Sequence, residues 1–310
     1  MGTPLFAVPS LKMLINEGYE ITGVITQPDR KRGRKGDIIV SPVKELAVEF
    51  GFKVIQPFDI KSDEVYREIS GLSPDIFITA AYGGIISDKM LKLPRFGCIN
   101  VHGSLLPKYR GPAPIQWAII NGDTETGVTT MLTNRGIDAG DILLSDRITV
   151  TADMYYPEVH DQLAELGAGT LKRTIPLWAE GKITPIPQDV SLATKATKLS
   201  KEDGRINLDK SAGDVINLVR GLNPWPGTFV VADGKIMKIL KAHVADIEFP
   251  DVKTGSIIEI TKENLMLKCG RGVISITVLQ FENGRVMDIK ECWHNLKIDH
   301  IEWGDGQNGC

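Results

Sequence analysis

A chain of 310 residues, 42% hydrophobic and 24% charged, is long enough for a well-buried core divided over about two domains. Its net charge of -3 gives no global attraction for nucleic acid or an anionic membrane, so any such contact must come from a local patch. There is no run of eighteen apolar residues and no signal-type start, and the four cysteines (Cys98, Cys269, Cys292, Cys310) lack metal-ligand spacing, which together point to a reducing cytoplasm and no membrane partner.

Met1-Gly2-Thr3-Pro4 reads as a turn, and Phe6, Leu11, Leu14 and Ile15 then carry a helical pattern closed by Gly18. Tyr19 to Thr26 is strand-like. A doubly wound sheet normally has a strand before its first helix, and this chain shows none. Gln27 to Asp37 is a glycine-containing loop with five basic residues among the six from Arg30 to Lys35. Such a run is either a solvated surface or a group of like charges that an anion, such as a nucleic-acid phosphate, neutralises. Ser41-Pro42 starts a helix that runs to about Phe50. A strand at Phe52 to Ile55, a helix near Glu64 to Ile69 and a strand at Asp75 to Ala80 follow. Gly83 and Gly84 then allow either a tight turn or close approach of the backbone to a ligand. Gly97 to Val101 is the next strand, and the alternation of strands and helices predicts a mostly parallel, Rossmann-like sheet.

After Trp117 a short helix, strands at Gly127 to Leu132 and Ile142 to Val150, and an amphipathic helix from Val159 to Trp178 complete an α/β domain over residues 1–181. Residues 182–200 carry prolines and lysines without apolar period, as an extended linker does. Residues 201–310 hold one helix, Ala212 to Leu222, and many short alternating runs between glycine turns, which predicts a small C-terminal β-barrel. The end, Gly304 to Cys310, reads as frayed.

The chemistry concentrates between Cys98 and Trp117, CINVHGSLLPKYRGPAPIQW. Asn100 and His102 flank Val101, so in a strand they project to one side. Asp138 recurs 36 positions after His102 in a Gly-Ile-Asp-Ala-Gly turn, and neighbouring parallel strands would gather all three at the sheet's carboxyl edge. A histidine exchanges protons near neutrality, an asparagine offers an uncharged donor to a developing oxyanion, and an aspartate orients an imidazole. This is an acyl-transfer set without a covalent nucleophile. The competing reading is that His102 only satisfies a strand terminus. Ser104 lacks a G-x-S-x-G elbow and reads as a turn or ligand-contact residue. The five histidines show no metal-binding spacing, so no metal is expected, and no G-x-G-x-x-G follows a strand.

Asn100 to Gln116 with Asp138 resembles the folate-dependent formyltransferases. Gly2-Thr3-Pro4 with Phe6 to Ser10, Thr26 to Arg30, Ser41 to Lys44, Ala81-Tyr82-Gly83, Gly103 to Pro107 and Asn223 to Pro226 extend the resemblance through most of the chain. The Gln-Pro-Asp-Arg, Ser-Pro-Val-Lys and Asn-Pro-Trp-Pro segments are similar to the members that act on a charged tRNA. The resemblance implies formyl transfer from 10-formyltetrahydrofolate, as co-substrate, to the free α-amine of methionine on methionyl initiator tRNA. It makes Asn100, His102 and Asp138 the catalytic residues. Ser104, Leu105, Leu106 and Pro107, with Tyr82 and Gly83, become folate contacts. Arg30, Arg32, Arg34 and Lys35 become tRNA contacts, Arg34 matching the family's tRNA-contacting arginine. The C-terminal domain becomes an OB-like barrel that supports the tRNA, in a monomer without an obligate protein partner.

The chain departs from the family where an apolar strand usually precedes Gly-Thr-Pro, at Lys35 where glycine is usual, over Thr151 to Glu158, and after Phe281. The alternatives are a nucleotide-sugar amine formyltransferase using the same three residues, and a catalytically silent RNA-binding homologue. The basic loop disfavours the first and the intact triad the second.

Overall fold

Short β-branched runs separated by helices give parallel pairing wherever a helix returns the chain across the sheet. The computed structural model describes residues 1–32 and 37–303. It runs through α1 (Val8–Asn16), β1 (Val24–Ile25), β2 (Arg30–Arg32), β3 (Asp37–Ile39), α2 (Pro42–Glu49), β4 (Val54–Ile55), α3 (Asp63–Ser70), β5 (Phe77–Ala80), α4 (Asp88–Leu91) and β6 (Cys98–His102). β1 pairs with β4 and β5 with β6, both in parallel. Between the two pairs lie Met1 and Gly2. Gly2 N–H donates to Ile25 O at 3.0 Å, the Met1 ammonium to Ile78 O at 2.6 Å, and Ala80 N–H to Met1 O at 3.0 Å. Two residues therefore carry the ladder at the place where the sequence shows no full strand. Beside them is a cavity of about 160 Å³, lined by Leu11, Leu14, Ile21, Ile69, Ile76 and Ile78 among others.

After β6 come α5 (Pro114–Ile120), β7 (Glu125–Leu132), β8 (Ile142–Thr149) and the long α6 (Tyr156–Ala179). β7 and β8 add antiparallel to β6, in the order β5-β6-β7-β8, so parallel pairing ends at β6 and the sheet is mixed. Gly167 of α6 lies against β6: a Cβ there would come 2.7 Å from Val101 Cγ1, so a residue without one lets the helix close on the strand. Val101 thus faces α6, and Asn100 and His102 face the other way.

The basic segment is a hairpin at its base. β2 and β3 pair antiparallel, Arg30 with Ile39 and Arg32 with Asp37. Arg34 and Lys35 lie outside the described residues. Both ends of the hairpin are anchored. Asp29 accepts from Lys44 Nζ and from Gln56 Nε2, the latter at 2.8 Å. Those hydrogen bonds hold its carboxyl below the usual carboxylate range. Ser41 caps α2 by accepting from Lys44 N–H at 3.2 Å, and its hydroxyl pairs with Thr26 Oγ1 at 2.9 Å.

The chain divides into two compact units. One comprises Met1–Pro114, Glu125–Thr149 and Val159–Thr197; the other comprises Ile115–Thr124, Val150–Glu158 and the chain from Lys198. From Lys198 on, the first α-helix of the second unit is α7 (Ala212–Leu222), whose Ser211 and Asp214 form a capping box. It continues through β9 (Thr228–Ala232), β10 (Lys235–Ala245), β11 (Ile257–Ile260), β12 (Leu265–Lys268), β13 (Val273–Phe281), β14 (Met287–Asp288), α8 (Ile289–Cys292) and β15 (Ile301–Glu302). These strands form an antiparallel sheet in the order β11-β12-β13-β10-β9-β15, with β14 beside β13, a curled half-barrel of OB-like type. β10 runs past Leu240 because irregular register between Ile239 and Ala242 bends the strand instead of ending it. Met237, Ile239, Ile274, Ile276 and Leu279 are fully buried beneath this sheet, each contributing roughly 1.5–3 kcal/mol by removal from water. Arg220 explains why residues 150–158 belong here. Its buried guanidinium donates to Thr151 O and Met154 O, both at 2.8 Å.

Candidate functional site

The face of β6 opposite α6 carries Asn100 and His102. Asn100 sits in register with Thr79 of β5, whose hydroxyl donates to Asn100 Oδ1 at 2.8 Å. That bond commits the amide oxygen and leaves Nδ2 as the donating end. His102 is 6% exposed, and its Nε2 stands 2.9 Å from Tyr109 O. A carbonyl only accepts, so Nε2–H is the donor and Nδ1 is the ring atom left to face the site. Nδ1 in turn faces Asp138 Oδ2 at 3.7 Å.

Asp138 arrives by a different route from the one expected. β7 is antiparallel to β6, and Ile99 pairs with Leu132, so β7 ends beside the beginning of β6 and not beside His102. Thr133 N–H donates to Cys98 O at 2.8 Å, which fixes that end of the turn at the base of β6. The segment 133–141 must then fold back along the sheet face to bring its carboxylate to the imidazole. Asp138 adopts a φ of 48°, and Gly111 N–H donates to its Oδ2 at 2.9 Å.

The segment 103–111 wraps this centre. Ser104 is fully buried and its hydroxyl donates to Lys108 O at 2.6 Å, so its side chain serves the turn. Thr129, paired with His102 across β6 and β7, accepts from Leu106 N–H at 3.1 Å and donates to Ser104 O at 2.7 Å. Leu106 is buried, and Leu105 and Pro107 are half-buried. Thr194 and Ala196 hold the far end of the segment. Tyr109 N–H donates to Thr194 Oγ1 at 2.8 Å, Arg110 N–H to Thr194 O at 2.9 Å, and Ala196 N–H to Arg110 O at 2.7 Å.

Of the residues singled out from sequence, the structure therefore brings His102 to Asp138 and sets Asn100 on the same face. Ser104 to Pro107 form the adjoining turn. Tyr82 and Gly83 follow β5. The Tyr82 ring is buried among Ile25, Ile55, Phe77 and Met90, and that burial pushes its hydroxyl up to about 12. Gly83 is exposed. Arg30 and Arg32 stand on β2, for which only the backbone course is described. Sequence reasoning missed Thr129, Tyr109, Gly111, Gln188 and Thr194. Thr129 was within reach, since strand pairing places it opposite His102. The others act through contacts that no local pattern announces. Among the described residues no group of His, Cys, Asp and Glu could hold a metal ion, and no helix is long and apolar enough to cross a membrane.

The chain resembles known proteins over most of its length. A family model described as formyl transferase matches residues 1–175, and one described as formyl transferase, C-terminal domain, matches residues 198–297. A methionyl-tRNA formyltransferase of Caldanaerobacter subterraneus subsp. tengcongensis is 48% identical over 299 residues, covering 96% of each chain. Another, of Ruminiclostridium cellulolyticum, is 47% identical over 300 residues with 96% of each chain covered. Among solved structures, the N-formyltransferase from Helicobacter canadensis in complex with folinic acid and dTDP-3-aminofucose has a TM-score of 0.67 at 19% identity, covering 89% of this chain and 96% of that one. HypX from Aquifex aeolicus in complex with tetrahydrofolic acid has a TM-score of 0.59 at 17% identity, covering 83% of this chain and 47% of that one. At those identities the two structures share the fold.

Proposed function

The chain belongs to the methionyl-tRNA formyltransferases, of the folate-dependent formyltransferase superfamily, and from that premise we propose that it transfers the formyl group of 10-formyltetrahydrofolate to the α-amine of methionyl initiator tRNA. The observation that carries the reading is the convergence of Asn100, His102 and Asp138 on the face of β6 turned away from α6. The enzyme is expected to work as a monomer in the cytoplasm, with the C-terminal half-barrel supporting the tRNA.

In the proposed reaction the neutral amine attacks the formyl carbon while both substrates are held together. A C–N bond forms and the carbonyl pair moves to oxygen. Asn100 Nδ2–H and His102, protonated at Nδ1, stabilise that oxyanion. Tyr109 O holds Nε2–H and so fixes which ring atom faces the reaction. Asp138 orients the ring and takes up the proton that the attacking amine loses. Collapse breaks the bond from the formyl carbon to N10 of the folate, which leaves with its electron pair and takes the proton that Asp138 received from the amine. The products are formylmethionyl-tRNA and tetrahydrofolate. The turn from Ser104 to Pro107 borders the folate, and Arg30, Arg32, Arg34 and Lys35 contact the acceptor-stem phosphates.

The test is a formyl-transfer assay with charged initiator tRNA against an amino-sugar nucleotide, on the wild type and on His102→Ala. The expected result is transfer to the tRNA that is lost in the variant. Transfer to the sugar nucleotide alone would overturn the reading.

A further inference from the structure

Gln188 lies in the segment after α6, 50 residues from Asp138 in sequence, and the catalytic steps just described give it no part. Its amide is nevertheless fully engaged at the site. Nε2 donates to Asp138 O at 2.9 Å and to Gly140 O at 2.7 Å, and Oε1 accepts from Arg110 Nε at 2.9 Å. Nε2 also stands 4.0 Å from Met131 Sδ, and Met131 pairs with Asn100, which places the amide on the catalytic face of the sheet. One side chain thus joins two segments that also meet at the carboxylate. On one side is the folded-back turn 133–141 that carries Asp138. On the other is the segment 107–111, whose Tyr109 O holds His102 and whose Gly111 N–H holds Asp138.

We propose that Gln188 is a positioning residue for the transfer reaction, acting through Asp138 by fixing its turn against the segment that holds His102. This rests on the proposed formyl transfer for the reaction it serves. The chemistry requires this residue type. Two donors are needed for two carbonyls and one acceptor for a guanidinium N–H, and a primary amide supplies all three at once. Glutamate has the same shape but would set carboxylate oxygens against two carbonyl oxygens. Asparagine is one methylene too short to span both segments. The carboxylate already stands 3.7 Å from Nδ1, so a small drift of the turn would remove Asp138 from the ring altogether.

The experiment is a double-mutant cycle on the full chain, with Gln188→Ala, Asp138→Asn and the pair, measured with charged initiator tRNA and 10-formyltetrahydrofolate. Gln188→Ala is expected to lower kcat about 10–100-fold while both KM values stay within about twofold. In the Asp138→Asn background the same change is expected to have little further effect, because a residue that acts through another has nothing left to position. Gln188→Glu, which keeps the side chain's size and loses its two donors, should reproduce the kcat loss. Amide hydrogen exchange at Gly111 gives a readout independent of turnover and should quicken in both variants. An equal loss of kcat in the two backgrounds, or unchanged exchange at Gly111, would overturn the proposal. A wild type that shows normal Gly111 protection but no transfer to the tRNA would instead refute the proposed formyl transfer.

Discussion

Asp138 Oδ2 stands 3.7 Å from His102 Nδ1, within ion-pair reach but beyond a hydrogen bond. The same oxygen accepts from Gly111 N–H at 2.9 Å, so the carboxylate is held by backbone and aimed at the ring. Asp138→Asn separates these two duties, since an amide oxygen still accepts from Gly111 but carries no charge. We expect thermal stability close to wild type and kcat lower by about 10²–10⁴-fold, the usual scale for a lost proton-transfer group. Calorimetry and steady-state kinetics on one preparation check both. A kcat within about threefold of wild type would remove Asp138 from the mechanism.

Gly111 itself cannot be replaced quietly. Its φ is 123°, and a Cβ there would lie 2.4 Å from Ala196 O, a backbone atom that cannot swing aside. Gly111→Ala is expected to destabilise by about 1–3 kcal/mol, through strain and loss of the Ala196–Arg110 pairing, and to lower kcat as well. Urea unfolding of the variant measures the first effect. A variant with unchanged midpoint would mean that the segment 194–196 yields freely.

How much of this was legible depended on the range of the contacts. Strand alternation alone put Asn100 and His102 on one face, because period two is a local property of the chain. The helix start at Ser41, the helix from Ala212 to Leu222 and the short strands of the half-barrel were legible for the same reason. The approach of Asp138 was not, because it depends on β7 reversing direction, whereas the alternation of strands and helices predicts a parallel sheet. The hairpin of β2 and β3 was concealed by charge, since Arg30-Lys31-Arg32 has neither alternation nor apolar content. Gln188 and Tyr109 act through backbone carbonyls, for which side-chain identity at the partner position carries no signal. Tyr82 illustrates the converse: its backbone follows β5 next to the site, while its ring belongs to the core.

The basic hairpin offers a test through its anchors. Asp29 ties its base to Lys44 and Gln56, and Asp29→Ala removes both bonds without touching a basic residue. We expect the KM for tRNA to rise and the KM for folate to stay unchanged. Arg34→Ala should weaken tRNA binding and reduce the slope of log affinity against log salt by about one. Binding titrations at several salt concentrations read both effects. Unchanged tRNA affinity in Arg34→Ala would count against the phosphate contact.

The Met1 ammonium is enclosed between β1 and β5, and burial lowers its pKa from 8.0 to about 6. The unfolded chain therefore binds more protons than the folded one between those two values, and stability must rise with pH across that window. For a chain beginning at Met1 the penalty is fully present below pH 6 and is relieved by pH 8. A lowering of this size corresponds to about 2–3 kcal/mol of stability gained across that window. Placing three apolar, β-branched residues before Met1 would replace the charge by an amide and fill the cavity beside Leu14 and Ile78. The extended protein should melt several degrees higher at about pH 6.5, and its stability should no longer climb between about pH 6 and pH 8. Thermal unfolding of both chains at matched pH values measures the difference. Equal slopes in the two chains would show that the buried amine is not the titrating group.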